Sequence, residues 1–275
     1  MHLRIGYSTC PNDTYVFAAL AKERESGPVT FEPVLADVET LNGWALEKRL
    51  HVTKLSFSAL GLVLDSYGLL YAGGALGRGC GPILVARPGI GLDSLEKGLV
   101  AAPGDLTTAK LLLTLYIGHE PRFSQMVFSE VMPAVSEGKA DFGLIIHEGR
   151  FTYQEYGLEV LVDLGEWWEA EDGRPIPLGG IAIRRDLGKV VAMEVDQAIG
   201  RSLVAARSGR SNTMDYVLAH AQEMAPDVVA QHIELYVNDF STNLGPEGRD
   251  AVDFLFSRAR EQGLIPQSSL PLMAY

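Results

Sequence analysis

The side chain best placed for chemistry in this 275-residue chain is that of His147. It follows an apolar segment, 140–146, that predicts a buried strand, and it precedes a polar turn at 148–150. Ligands of α/β proteins gather at the carboxyl ends of strands, and an imidazole with a pKa of about 6.5 is available as a base at neutral pH. His147 is therefore a candidate general base. The alternative is a histidine that is hydrogen-bonded at a domain boundary.

Two polar segments follow predicted strands in the first part of the chain. Residues 8–14, which include Asn12, precede the first predicted helix, and residues 53–58 follow the third strand. Lys54 is the only cation in the second segment and stands beside hydroxyl groups, so a substrate anion would fit there. Helix capping is the alternative for both segments, with Ser56 as the cap of the second.

Two further segments could hold an anion. Thr107 and Thr108 open a predicted helix at 107–117, where backbone N–H groups and the positive end of the helix dipole point outward. Capping alone is the alternative there. The glycine-rich segment 73–82 lacks nucleotide-binding spacing but carries Arg78, a candidate anion clamp. A flexible loop between strands is the alternative for that segment.

The remaining reactive side chains form no pattern for metal or covalent chemistry. The other histidines lie near chain ends, in loops or on helices and lack metal-ligand spacing, so a metal site is not expected. Cys10 and Cys80 are the only cysteines, too few for a disulfide framework or a four-ligand zinc site. Trp167 and Trp168 could wall a planar ligand or simply pack between lobes.

Composition limits the partners of the protein. The formal net charge is −12 and basic residues are dispersed, which disfavours nucleic acid. A small anion is still allowed, because charges are screened beyond about 8 Å at physiological salt. The chain holds no uninterrupted apolar run near the roughly 18 to 20 residues that a membrane helix needs. With a strand starting almost at the first residue and no secretory signal ahead of it, we expect a cytoplasmic protein whose partner is a small-molecule substrate.

Apolar strands alternate with amphipathic helices along the first 163 residues, which predicts an α/β fold with parallel or mixed sheets. The predicted strands are 2–8, 29–36, 52–55, 69–74, 82–87, 98–102, 125–128, 140–146 and 159–163, and the predicted helices are 12–24, 38–50, 57–67, 107–117 and 129–137. After a strand near 179–185, only helices are expected, at 188–208, 211–223, 226–238 and 247–262.

A proline-glycine break at 87–91 separates two series of elements. We therefore predict two lobes, a larger one from residues 1–87 plus 180–275 with the C-terminal helices, and a smaller one from residues 88–179. Segments 82–87 and 179–185 are similar in character, as two strands crossing side by side between lobes would be. A chain that leaves one α/β lobe and returns to it predicts a cleft between the lobes, where ligands commonly bind.

The polar segments resemble, as a co-linear set, the family of 1,4-dihydroxy-6-naphthoate synthases of the futalosine route to menaquinone. The segments that carry the resemblance are 8–14, 37–42, 53–56, 73–82, 107–108 and 143–148, and the similarity extends through 150–153 and 163–165 to 236–238. It implies a two-lobed fold like the type II periplasmic solute-binding proteins, and cleavage of cyclic dehypoxanthine futalosine into dihydroxynaphthoate and dihydroxyacetone without a metal or organic cofactor.

The resemblance also implies roles for individual residues. His147 corresponds to the proton acceptor of the family, and the substrate-binding stretches correspond to Lys54, Leu55 and Ser56 and to Thr107 with Thr108. Asn12, Asn42 and Arg78 are further candidates for substrate contact.

Two other functions fit such a fold. A solute receptor would bind a metabolite and release it unchanged, and the expected lack of a signal peptide weighs against it. A chorismate dehydratase of the same pathway is the second alternative, against which the His147 segment and the turn at residues 10–14 weigh.

Overall fold

The computed structural model describes residues 1–23, 25–26, 28–147, 149–209, 212–221 and 225–275, with the side chains of 25 and 26 left out. Residue 24 of the predicted helix 12–24, and residues 211, 222 and 223 of the predicted helix 211–223, lie outside this part of the chain. The described residues form two compact units, Met1–Gly77 with Pro177–Tyr275 and Arg78–Ile176.

The strands of the structure are β1 (His2–Tyr7), β2 (Glu25–Ser26), β3 (Val29–Leu35), β4 (Val52–Ser56), β5 (Tyr67–Leu69), β6 (Ala75–Gly77), β7 (Ile83–Ala86), β8 (Leu99–Ala102), β9 (Arg122–Gln125), β10 (Phe142–Ile145), β11 (Glu159–Asp163) and β12 (Ile176–Arg184). The helices are α1 (Pro11–Glu23), α2 (Val38–Leu46), α3 (Phe57–Leu62), α4 (Thr108–Ile117), α5 (Phe128–Ser136), α6 (Gly149–Thr152), α7 (Leu164–Asp172), α8 (Gly188–Arg207), α9 (Thr213–His220), α10 (Pro226–Tyr236), α11 (Asp239–Thr242) and α12 (Gly245–Glu261).

The first unit is built on a mixed sheet in the order β2-β3-β1-β4-β12-β5, with β6 paired to β12. Strand β1 runs parallel to β3 and β4, whereas β12 runs antiparallel to β4 and β5. All five residues of β4 are buried because the strand is central in the sheet and covered on both faces. The core includes Tyr7, Phe17, Ile181 and Leu203, which brings β1, α1, β12 and α8 together.

The second unit is built on a five-stranded sheet in the order β11-β7-β10-β8-β9. Strand β8 runs parallel to both β9 and β10, whereas β7 runs antiparallel to both β10 and β11. Val85, Val135 and Ile145 belong to its core. Its helix α4 begins at the cap Thr107 and ends at Gly118, whose φ of 79° is the left-handed conformation that ends many helices.

The structure differs from the sequence-based expectation about segments 82–87 and 179–185. Strand β7 lies in the second sheet between β11 and β10, and β12 lies in the first sheet between β4 and β5, so the two strands are not side by side. The chain leaves the first unit after Gly77 rather than after residue 87, and it returns at Pro177 rather than 180. An apolar strand carries no local mark of which sheet it will join, because its partners are distant in sequence.

Smaller differences concern element boundaries. The predicted strand 69–74 is replaced by β5 and β6, since Leu70 and Gly73 donate their backbone N–H groups to Ile181 and Ser241 between those strands. The helix predicted at 57–67 ends at Leu62, and α7 was not predicted. No helix within the described ranges is long and apolar enough to cross a membrane.

Candidate active site

Residues Asn12 and Lys54 of the first unit are joined through Asp13. Strands β1 and β4 are parallel neighbours, so the segments that follow them emerge at the same sheet edge. Lys54 forms a buried ion pair with Oδ1 of Asp13, and Asn12 Nδ2 donates to the same oxygen at 3.0 Å. Ser8 donates to Oδ2 of Asp13 from its backbone N at 3.1 Å and from Oγ at 2.7 Å.

The ion pair changes how Lys54 can bind a ligand. Asp13 and Lys54 are 3% and 7% exposed, so a buried carboxylate already offsets the ammonium charge. An ammonium has three donors and Asp13 takes one, which leaves hydrogen-bonding capacity for a ligand. The local site is therefore suited to oxygen acceptors in general rather than to a strongly charged anion alone.

Ser56 and Asn42 hold each other in place at the end of β4. The backbone N of Ser56 donates to Asn42 Oδ1 at 3.0 Å, and Asn42 Nδ2 donates to Ser56 Oγ at 3.1 Å. Ser56 occupies the N-cap position of α3, but its side chain makes no capping bond. Helix capping therefore does not explain the Ser56 hydroxyl, contrary to the alternative drawn from the sequence.

Leu55 lies between these polar residues on β4 but faces the other way. Successive side chains of a strand point to opposite faces. The side chain of Leu55 is 1% exposed and belongs to the buried interior, while Lys54 and Ser56 share the opposite face. Segment 54–56 thus contains two polar side chains and one core side chain.

Thr107 and Thr108 of the second unit follow β8, and His147 follows β10. Because β8 and β10 are parallel neighbours, both segments emerge at one edge of the second sheet. Thr107 Oγ1 accepts from Lys110 N at 3.2 Å and donates to Gly104 O at 3.0 Å, which is the capping role. Thr108 is buried as the first residue of α4.

His147 has an unusual backbone conformation. Its φ is 53°, in the left-handed region that residues other than glycine rarely adopt. The side chain is half-buried, and the edge of one ring meets the face of the other between His147 and Phe128, with centroids 5.8 Å apart and planes at 86°. The residue that follows, Glu148, lies outside the described residues. A rare backbone conformation persists only where the surrounding structure holds it, so His147 is a candidate for a functional position.

Arg150, which sequence reasoning missed, anchors the segment after His147. Its guanidinium donates to Asp163 Oδ2 at 2.7 Å, to Gly79 O at 3.3 Å and to Gly81 O. Asp163 in turn caps α7 through Oδ1, which accepts from Gly165 N at 2.8 Å. The start of α6, the glycine-rich loop and the start of α7 are thereby tied together.

Glycine is required where this loop meets α7. A Cβ on Gly81 would lie 2.3 Å from Gly165 N and 2.4 Å from its Cα, closer than real Cβ contacts. Arg78 of the loop is exposed and donates to Gly173 O at 2.7 Å, and Gly79 N donates to Glu169 Oε1 at 2.7 Å. The glycine-rich loop thus contacts the beginning and the end of α7. Arg78 makes one of these contacts, an intramolecular hydrogen bond to a backbone carbonyl.

The tryptophan pair divides between core and surface. Trp168 is 1% exposed, whereas Trp167 is half-buried and meets the rings of Tyr116 and Trp168 edge-on at 5.4 and 6.1 Å.

Burial raises the pKa of the Cys80 thiol to about 12, which removes it as a nucleophile near neutral pH. Within the described residues, no three His, Cys, Asp or Glu side chains are grouped so as to hold a metal ion.

Sequence reasoning also missed Asp13 and His232. Asp13 lies in the polar segment 8–14, and its position in the first turn of a buried helix was the feature that could have marked it as a site residue. His232 Nε2 lies 3.0 Å from Asn12 Oδ1, across 220 residues of sequence. No local pattern could have signalled that contact.

Comparison with known sequences gives near-complete matches. A model of the menaquinone biosynthesis family matches residues 3–261. A Thermus thermophilus protein named 1,4-dihydroxy-6-naphtoate synthase is 49% identical over 271 residues, 98% of each chain. A Streptomyces coelicolor protein of the same name is 45% identical over 279 residues, which is 99% of this chain and 98% of the relative.

Solved structures share the fold. A protein of Archaeoglobus fulgidus matches with a TM-score of 0.89 and 33% identity, over 96% of this chain and 98% of its own. The alkanesulfonate-binding protein SsuA of Xanthomonas axonopodis matches at 0.71 and 14%, over 98% and 96%. A Candida albicans protein described as having the generic periplasmic binding protein fold matches at 0.67 and 11%, over 98% and 92%. The predicted periplasmic-binding-protein-like α/β fold is confirmed.

Proposed function

The chain belongs to the menaquinone biosynthesis family and is an enzyme of that pathway, and we propose that it cleaves cyclic dehypoxanthine futalosine into 1,4-dihydroxy-6-naphthoate and dihydroxyacetone. The observation that carries this proposal is the near-full-length identity to two proteins that are both named for the naphthoate product. Cleavage of this substrate is a carbon–carbon lyase reaction, and it calls for a base but not for a redox group.

His147 is the proposed base. It removes a proton from the substrate, ring opening and carbon–carbon cleavage follow, and formation of the aromatic naphthoate drives the reaction. Its half-buried ring, its fixed backbone and its place beyond a buried strand support this role. Proton transfer to a positioned side chain contributes about 10²- to 10⁴-fold to a rate.

Polar side chains at the ends of β4 and β8 are the proposed substrate contacts. Lys54 and Ser56 would donate hydrogen bonds to carboxylate or sugar oxygens, with Asn42 holding Ser56 in place. Thr108 would offer its hydroxyl and the first backbone N–H groups of α4, and Thr107 would hold that helix start through its cap. Leu55 points to the core, and its proposed role is to keep Lys54 and Ser56 together on the opposite face of β4.

Product analysis tests the reaction directly. Purified protein is incubated with the cyclic futalosine, and naphthoate and dihydroxyacetone are measured by mass spectrometry. His147→Asn is the informative variant, because asparagine tolerates a positive φ and so removes the base without forcing the backbone to change. We expect a loss of about 10²-fold or more in kcat with an unchanged melting temperature.

Three outcomes separate the candidate functions. Wild-type turnover by His147→Asn would remove His147 as the base while leaving the reaction in place. Turnover of chorismate instead of the futalosine would identify the dehydratase, and binding of the futalosine without products would identify a receptor.

A further inference from the structure

A buried histidine on a C-terminal helix contacts the polar cluster that includes Lys54. His232 lies on α10, is 0% exposed, and packs its ring against Tyr236 with centroids 4.7 Å apart. Its Nε2 lies 3.0 Å from Oδ1 of Asn12, in the first turn of α1, the helix against which α10 packs. A line of hydrogen bonds therefore runs from His232 through Asn12 and Asp13 to Lys54.

Chemistry fixes the direction of every bond in this line. The carboxylate of Asp13 can only accept, so Asn12 must turn its amide Nδ2 toward it. The amide oxygen of Asn12 then faces His232, whose Nε2 must carry the hydrogen and donate it. Turning the Asn12 amide over would set two acceptors 3.0 Å apart at Asp13. The carboxylate of Asp13 and the donor on His232 thus favour the same orientation of Asn12 and hold its amide from both sides.

Asp13 has no capacity left for a ligand. A carboxylate has about four acceptor positions, and the described donors Ser8 N, Ser8 Oγ, Asn12 Nδ2 and Lys54 Nζ provide four hydrogen bonds to it. Asp13 therefore acts on a ligand only through the ammonium that it holds.

We propose that His232 is a positioning residue that fixes Lys54 for substrate through Asn12 and Asp13. This inference rests on the proposed function, because it assigns Lys54 a role in substrate binding. Loss of the His232 donor removes one of the two hydrogen bonds that hold the Asn12 amide, which weakens one hold on Asp13 and lets the Lys54 ammonium move. The effect falls on binding rather than on the chemical step.

The competing explanation is a histidine that only stabilises the core. A set of variants separates the two. His232→Leu removes the donor, His232→Gln restores an N–H near the Nε2 position, and His232→Asn places its amide near the Nδ1 position instead. Val229→Ala, a buried residue one turn earlier on α10, serves as the control for helix destabilisation.

Steady-state kinetics on the cyclic futalosine give the first readout. We expect His232→Leu and His232→Asn to raise KM about fivefold, the effect of one net hydrogen bond, with kcat within about twofold of wild type. His232→Gln should restore KM, and Val229→Ala should lower the melting temperature with KM unchanged. An unchanged KM in His232→Leu, or an equal rise in Val229→Ala, overturns the proposal.

A second readout does not need turnover. Acetic anhydride labelling of Lys54, measured on peptides by mass spectrometry, should become faster in His232→Leu and stay at the wild-type rate in His232→Gln and Val229→Ala. Equal labelling rates in wild type and the three variants would overturn the positioning role of His232, even if the reaction is the one proposed. If the labelling pattern is as expected but the protein does not turn over the futalosine, only the proposed function is contradicted.

Discussion

Arg150 donates a hydrogen bond at 2.7 Å to Asp163, the residue whose other carboxylate oxygen caps α7. The two side chains are only 15% and 12% exposed. The Asp163 carboxylate therefore joins Arg150, which lies in α6 three positions beyond His147, to the start of α7. The Arg150 guanidinium also binds the glycine-rich loop through the carbonyl groups of Gly79 and Gly81.

Loss of this ion pair should destabilise the protein. Arg150→Met leaves the Asp163 carboxylate nearly buried without its charge partner, and we expect the free energy of unfolding to fall by about 3 kcal/mol, as for other buried pairs broken on one side. Urea titration measures it. Arg49→Met is the control, because Arg49 and Glu47 form a pair that is 52% and 56% exposed, and exposed pairs contribute about 0 to 1 kcal/mol. Equal losses in both variants would contradict the importance of the Arg150 contact.

The Asp13–Lys54 pair should show strong coupling. Asp13→Asn and Lys54→Met each leave one buried group without its partner, so each should lower the free energy of unfolding by about 3 to 5 kcal/mol. The double variant removes both charges and should lose clearly less than the sum. A double-mutant cycle in urea measures the difference. Additive losses would mean that the two charges do not stabilise each other.

Asp196 should make stability fall as pH rises. Burial raises the pKa of this carboxyl above its ordinary 3.8, while Tyr275 Oη donates to Oδ2 at 2.5 Å and Ala72 N to Oδ1 at 2.8 Å. Between the unfolded and the raised folded pKa, the folded state binds more protons than the unfolded state, so the free energy of unfolding decreases with pH. Its full contribution is present below 3.8 and is lost as pH rises through the folded pKa.

Asp196→Asn removes this titration but keeps an acceptor for Ala72 N and adds an amide that can donate to Tyr275. We expect wild type to lose stability relative to Asp196→Asn as pH rises above about 4, measured by urea titrations between pH 4 and 8. Parallel curves for the two proteins would show that Asp196 titrates alike in the folded and unfolded chain.

The two thiols should differ in reactivity. Cys80 is 1% exposed and its pKa is raised to about 12 by burial, whereas Cys10 is half-buried, and neither forms a disulfide. Iodoacetamide at pH 8 should modify Cys10 in the native protein and both cysteines in urea, because the thiolate is the reactive form. Intact-mass and peptide analysis identify the modified residue. Cys10→Ala is the control and should leave the native protein unmodified.

Local patterns in the sequence predict most of the helices and strands and the positions of the polar segments relative to them. Period-two and helical patterns predict β1, α1, β3, β4 and α4 to within a few residues, because their apolar residues recur with the spacing of the element they form. Placement of His147 beyond a buried strand and of Thr107 at a helix start follows from the same local patterns. The family resemblance added the proposed roles of individual residues in these segments.

The contacts that those polar segments make depend on the folding of the whole chain. Only the pairing of strands showed that β7 belongs to the second sheet, and only the folded chain brought Asp13 to Lys54 and His232 to Asn12. These contacts join residues 41 and 220 positions apart, and local propensity has no range over such separations. Burial and hydrogen bonding between distant segments, rather than pattern, turned a set of polar residues into an ordered cluster.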